Sequence, residues 1–102
     1  MIARVWRGAT RAEHAEEYAD YVERTGLRGA RGLPGSRGTL LLRRERDGRA
    51  EFETIILFDS LEDVKAFAGE ELEEAVFFPE DDRYLVERDL DVAHYDAEVR
   101  VL

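Results

Sequence analysis

Two β-type runs, residues 38–46 (GTLLLRRER) and 49–58 (RAEFETIILF), flank the dipeptide Asp47-Gly48. A two-residue connection of this kind closes a hairpin, because both central positions take positive φ and Asp-Gly tolerates it. The turn then sets the pairing. Arg46 opposes Arg49, Arg44 opposes Glu51, Leu42 opposes Glu53 and Leu40 opposes Ile55. Side chains alternate along a strand, so one face carries Leu40, Leu42, Ile55 and Leu57. The other carries Leu41, Phe52, Thr54, Ile56 and Phe58. Both faces are apolar at the base of the hairpin and charged at its tip. A sheet with two apolar faces needs two covers. Helices of the same chain supply one, and a second sheet from a partner copy supplies the other.

The remaining segments fit around this hairpin. Ile2 to Arg7 reads as a first strand. Thr10-Arg11-Ala12-Glu13 has the spacing of a capping box, which starts a helix running to about Thr25 with Gly26 as its stop. Ala15, Tyr18, Ala19 and Val22 form its buried stripe. Leu27 to Arg37 reads as a glycine-rich surface loop. It lacks the patterns of a phosphate cradle, and no helix follows it. After the hairpin, Ser60 caps a helix whose stripe is Leu61, Val64, Phe67 and Ala68, and Gly69 ends it. Leu72, Ala75 and Val76 suggest a second short helix, stopped by Pro79. Glu80-Asp81-Asp82 reads as a solvated acidic turn. Tyr84 to Val101 is a long final strand whose apolar phase flips between Val92 and Tyr95. A bulge or bend there lets the tail leave its own sheet for a partner's. The order is βαββαβ, the ferredoxin-like α+β arrangement with a four-stranded antiparallel sheet.

A chain of 102 residues makes one domain, 1–102. Its net charge of −9 argues against nucleic-acid binding, since phosphate contact needs a basic face. There is no cysteine, hence no disulfide and no thiolate chemistry. No run has the length of a membrane span, and the start, MIARVWRG, is a strand pattern and not the apolar core of a leader, so the expected location is the cytoplasm. The basic residues are Arg except for Lys65, and Asn and Gln are absent.

Few residues carry chemistry. His94 lies just past the phase flip, where a strand reaches a pocket rim, and histidine titrates near neutrality. Its bland alternative is a structural hydrogen bond. Arg4 and Trp6 share one face of the first strand. Such an Arg points to solvent at an edge, or meets a buried acid or an anionic ligand. A lone Trp is most often core, with its N–H partnered. Phe67, Phe77, Phe78 and Tyr84 form an aromatic wall that core packing alone explains. His14 reads as surface, and Glu70, Glu71, Glu73 and Glu74 as a solvated face; no metal pattern is present.

Ala66-Phe67-Ala68-Gly69-Glu70, then Ala75-Val76, the Phe78-Pro79-Glu80-Asp81 turn and His94-Tyr95 together resemble the antibiotic-biosynthesis-monooxygenase-like family of dimeric α+β barrels. The resemblance covers nearly the whole chain in layout. It implies a homodimer whose two sheets face each other. It also implies a small aromatic or polyketide-like substrate in each half, oxidised without metal or other cofactor. Related haem-degrading and quinone-forming enzymes are thought to use an Asn near oxygen, and this chain has none. Polarity must then come from Arg4, Trp6, Tyr18 or His94. His94 and Arg4 are the candidate catalytic residues, and Trp6, Tyr18, Phe67, Phe78 and Tyr84 the candidate substrate contacts. A non-catalytic ligand-binding or structural barrel is the alternative, and haem binding or degradation through His94 a further one. The direction of His94 and Trp6 discriminates among them.

Overall fold

The computed structural model describes residues 1–101. The hairpin forms in the expected register. β2 (Ser36–Arg46) and β3 (Arg49–Phe58) pair with Arg46 on Arg49, Arg44 on Glu51, Leu42 on Glu53 and Leu40 on Ile55. Asp47 and Gly48 take φ of 55° and 76°, the left-handed geometry that a tight two-residue turn requires. β1 (Ile2–Arg11) lies antiparallel to β3 along its whole length, from Ile2–Phe58 to Arg11–Arg49. β4 (Leu85–Arg88) and β5 (Ala93–Asp96) both pair with the free edge of β1. The strand order is β2-β3-β1-β4, the ferredoxin-like antiparallel sheet, with its last strand in two pieces.

The break in that last strand has a visible cause. Gly8 pairs with Arg88 but Arg4 with His94, so the edge strand carries extra residues at 89–92. These leave β1 to hold the segment after Gly69. Ala75 N–H donates to the Leu90 carbonyl at 2.9 Å, and Val92 N–H to that of Glu73 at 2.8 Å. The phase flip was therefore a sequence sign of a real interruption. The chain nevertheless returns to its own β1, which corrects the expectation that the tail departs at the bend. Beyond Asp96, Ala97 N–H still reaches the Met1 carbonyl.

The first helical region differs from expectation at both ends. Thr10 does not cap a helix. It is fully buried on β1 opposite Ala50, because the ladder to β3 continues to Arg11 and extended backbone there makes more hydrogen bonds than a cap would. A 3₁₀ turn, Ala12–His14, leads into α1 (Ala15–Val22). Gly26 does not stop it either. A wide π turn, Glu23–Leu27, runs into α2 (Arg28–Arg31), so the first part of the expected glycine-rich loop, residues 27–31, is helix. The Thr25 hydroxyl donates to the Tyr21 carbonyl at 2.8 Å inside this turn. The inserted residue shifts the helical phase. Val22 faces the core, and the next buried positions are Leu27 and Ala30, out of step with a 3.6-residue repeat.

After β3, α3 (Leu61–Ala68) begins at Ser60, whose Oγ accepts the Asp63 N–H, and ends at Gly69 with φ 81°. The second helix expected at 72–78 is absent. That segment is an irregular strap pinned to the sheet. Pro79 does not terminate a helix but opens the turn into the short α4 (Asp81–Tyr84).

Two apolar clusters lie between helices and sheet. One gathers Trp6, Ala15, Tyr18, Tyr21, Ala50, Phe52 and Tyr84, and the other Leu27, Ala30, Ile56, Phe58 and Val64. The opposite sheet face is uncovered. Leu40, Leu42 and Tyr95 there are 46 %, 44 % and 57 % exposed.

Candidate functional site

Even-numbered residues of β1 and β3 point toward the helices. Arg4, Trp6, Thr54 and Ile56 therefore share one face, which the strap crosses. A cavity of about 70 Å³ remains between them. Tyr18 and the π turn form its second wall, and Phe67, Phe77, Phe78 and Asp81 close it from the strap side. The wide turn has a direct consequence here, since it brings Thr25, Gly26 and Leu27 to the cavity wall.

Arg4 is the unusual member. It is 3 % exposed and, among the described residues, meets no carboxylate. Its guanidinium donates to the Leu72 carbonyl at 2.6 Å and to that of Glu74 at 2.8 Å. It also lies over the Phe67 ring at 5.6 Å. It thus ties the strap to the sheet. Of the alternatives expected for it, the fold provides neither an exposed edge nor a buried acid, which leaves an anionic ligand untested. Burial lowers its pKa to about 10. The charge still persists at neutral pH, held by carbonyl dipoles and a π face.

His94 stands next to Arg4 across the β1–β5 ladder. Its Nε2 is 3.1 Å from an Arg4 terminal nitrogen. Arg4 can only donate, so Nε2 accepts and the proton resides on Nδ1. Burial first, then the Arg4 charge, hold the His94 pKa below its ordinary value. His94 does not line the cavity but braces the residue that does. Trp6 does line it, with its indole N–H donating to the Asp89 carbonyl at 2.8 Å and its ring edge-on to Phe77. Tyr18, Phe67 and Phe78 reach the same space. Tyr84 does not. It packs behind the cavity on Tyr18, Tyr21 and His14. His14 is accordingly half-buried against an aromatic ring, not a free surface group.

The sequence reading missed Asp81. It assigned this residue to a solvated turn, but Asp81 is 5 % exposed and faces the cavity. Its Oδ2 accepts the Phe78 N–H at 2.7 Å, and its own N–H donates to the Phe78 carbonyl at 3.0 Å. This reciprocal pair resembles a capping box, with Pro79 in the first-turn position it favours. The signal was present as Phe78-Pro79-Glu80-Asp81, but it was read as the end of a helix instead of the start of one. Burial raises the Asp81 pKa. The buried Tyr21 hydroxyl lies beside the Asp81 carboxylate as a side-chain donor to it, and burial first, then the Asp81 charge, raise the Tyr21 pKa to about 12. Among the described residues no three His, Asp or Glu side chains converge as a metal site. No helix there is long and apolar enough to cross a membrane.

No protein-family model matches the chain, and no curated protein matches it in sequence. Solved structures do match in shape. A candidate antibiotic biosynthesis monooxygenase from Bacillus cereus superposes with a TM-score of 0.65 at 13 % identity, over 99 % of this chain and 96 % of that one. One from Deinococcus radiodurans gives 0.61 at 17 % identity, over 100 % and 97 %. The haem degrader MhuD of Mycobacterium tuberculosis, solved with two haems in its active site, gives 0.59 at 13 % identity, over 99 % of each chain. At such identities the likeness is one of fold, and this chain has the ferredoxin-like α+β fold of the antibiotic-biosynthesis-monooxygenase structures.

Proposed function

We propose that the protein is a monooxygenase-like homodimer of the cytoplasm that binds a small aromatic or polyketide-like molecule in this cavity. It oxidises that molecule with dioxygen, using neither metal nor flavin. The observation that supports the reading is Arg4, a buried cation without a carboxylate partner on the wall of an aromatic cavity. Such a group stabilises negative charge that develops on an enolate or phenolate. The reaction class is R₂CH₂ + O₂ → R₂C=O + H₂O. The acidic methylene loses its proton, its electrons pass to dioxygen, one oxygen stays as the carbonyl and the other leaves as water. His94 acts here as a positioning residue, since its Nε2 is engaged by Arg4. The cavity of about 70 Å³ admits only one end of such a molecule, and the rest projects through its open side. A cavity of about 150 Å³ is what takes up a whole benzene.

The described residues do not fit haem. The chain has two histidines. The basic nitrogen of His94 is held by Arg4, and His14 packs edge-on to Tyr84 outside the cavity.

The test is oxygen uptake with hydroxylated polycyclic substrates that carry one acidic methylene, followed together with quinone absorbance. Protein-dependent uptake is expected, reduced about a hundredfold or more in Arg4→Lys and Arg4→Met. Absence of uptake across the panel, with ligand still bound, favours the non-catalytic barrel. One observation supports that second reading: carbonyls, His94 and Phe67 already account for Arg4 without a ligand.

The homodimer has separate support in the uncovered sheet face. Val5, Leu40, Leu42, Ile55, Leu57 and Tyr95 share it by register. Sedimentation is expected to give a dimer at micromolar concentration and a monomer for Leu42→Glu; a monomeric parent protein removes the barrel.

A further inference from the structure

The strap crosses the cavity on little more than hydrogen bonds. Every residue from 69 to 80 is exposed or only half-buried, although Ala75, Val76, Phe77 and Phe78 form part of the cavity wall. Its middle is held by polar contacts. Arg4 donates to the Leu72 and Glu74 carbonyls, Ala75 N–H donates to that of Leu90, and Val92 N–H to that of Glu73. Its ends are fixed otherwise. Gly69, with φ 81°, turns the chain out of α3, and the reciprocal Phe78–Asp81 pair holds the far end. A segment with little buried apolar surface, and with its bonds in one short stretch, opens at a lower free energy than the sheet beneath it. The strap lies on the helix side of the sheet, away from the face assigned to the dimer.

A ligand needs such a movement. At about 70 Å³ the cavity has roughly half the volume that a whole benzene takes up. The strap carries Glu70, Glu71, Glu73 and Glu74 and no basic residue, so Arg4 is the cation that retains it. Arg4 Nη1 serves two partners. It donates to the Leu72 carbonyl at 2.6 Å and stands 3.1 Å from His94 Nε2. A neutral His94 accepts there. A protonated His94 sets a second N–H and a second positive charge against the same nitrogen, and the latch loosens. The charges that act on His94 are Arg4 from β1 and Glu73 from the strap itself. Burial and Arg4 oppose its charged form and Glu73 favours it, with the neutral ring prevailing. We propose that the strap is a lid over the ligand cavity, latched by Arg4 and released when His94 takes up a proton. The open state lets water reach the ring and lets Arg4 turn away from it, so it binds the proton more tightly, and acid favours opening. The inference rests on the reading of this cavity as the ligand site, but its test needs no ligand.

The experiment is native-state hydrogen exchange by NMR at Ala75 and Val92, whose N–H groups join the strap to the edge strand. At neutral pH both are expected to report one shared opening equilibrium, about tenfold or more above that of the β1–β3 ladder amides. It is also expected to stay unchanged in low urea, since a local opening exposes little surface. Exchange of these two amides only together with the ladder overturns the lid. As the His94 ring titrates, followed by its own carbon shifts, their protection is expected to fall about fivefold, the size of one lost hydrogen bond. In His94→Gln, whose side-chain carbonyl still accepts from Arg4, protection is expected to stay level. Protection that ignores the His94 titration in the parent, or falls equally in His94→Gln, overturns the latch. Should His94→Gln not fold, the parent titration decides alone. Oxygen uptake tests the reading of the cavity and exchange tests the lid, so either can fail while the other stands.

Discussion

Trp6 occupies its place because of its neighbour on the strand. A Cβ added at Gly8 would stand 2.4 Å from the Trp6 ring, so glycine there leaves room for the indole to lie along β1. Gly8→Ala is expected to displace the ring, break its hydrogen bond to Asp89 and destabilise the protein by about 1–3 kcal/mol. Urea denaturation followed by Trp6 fluorescence reads both effects; a red-shifted spectrum without loss of stability would show that the cavity yields freely. The Trp6–Gly8 spacing is visible in the sequence, but its meaning is not. Period-two alternation places both residues on one face without saying that a side chain reaches over the next same-face position. Arg4 teaches the same lesson. Its face could be read from the strand pattern, yet its partners are carbonyls at residues 72 and 74. Backbone acceptors carry no side-chain signature, so no pattern in the sequence marks them.

At the scale of elements, local signals succeeded where one physical effect dominated. The Asp47-Gly48 turn, the Ser60 cap and the Gly69 stop all formed because each depends on a few adjacent residues. The capping box at Thr10 failed because a non-local ladder outcompeted it. The Gly26 stop failed because glycine there has no positive φ, and the π turn carries the helix through. Gly29 lies beyond that turn, exposed in α2, with nothing within 4 Å of an added Cβ and no positive φ. Gly29→Ala is therefore expected to stabilise the protein by about 0.5–1 kcal/mol, through lower entropy of the unfolded chain and better helix propensity. Thermal unfolding checks it, and a lowered midpoint would mean that residues 28–31 are not helical in solution.

For the whole molecule, the Arg4–His94 contact couples stability to pH. The folded state holds the His94 pKa below its ordinary value of 6.5, so folding prefers the neutral ring. That contribution is fully present above the unfolded pKa. It is lost as pH falls from about 6.5 through the lowered folded value, where the unfolded chain binds the proton more readily. Glu23, Glu51 and Asp59, whose pKa values are lowered by their Arg partners, titrate below this window. Urea midpoints measured from neutral pH downward are expected to fall across the histidine range in the parent and to flatten there in His94→Gln. An equal slope in both would leave His94 without this role. The βαββαβ order, the hairpin register, the two apolar sheet faces and the aromatic character of the interior were all legible from residue pattern, because periodicity and turn chemistry act over a few residues. Three arrangements emerge only in the folded chain: Arg4 pins an irregular strap, Asp81 lies inside instead of in solvent, and the edge strand breaks at 89–92 to meet that strap. The first depends on hydrogen bonds between segments 68 and 70 residues apart and the last on bonds from the strap to residues 90 and 92, whose energies depend on burial, and burial exists only once the chain has folded.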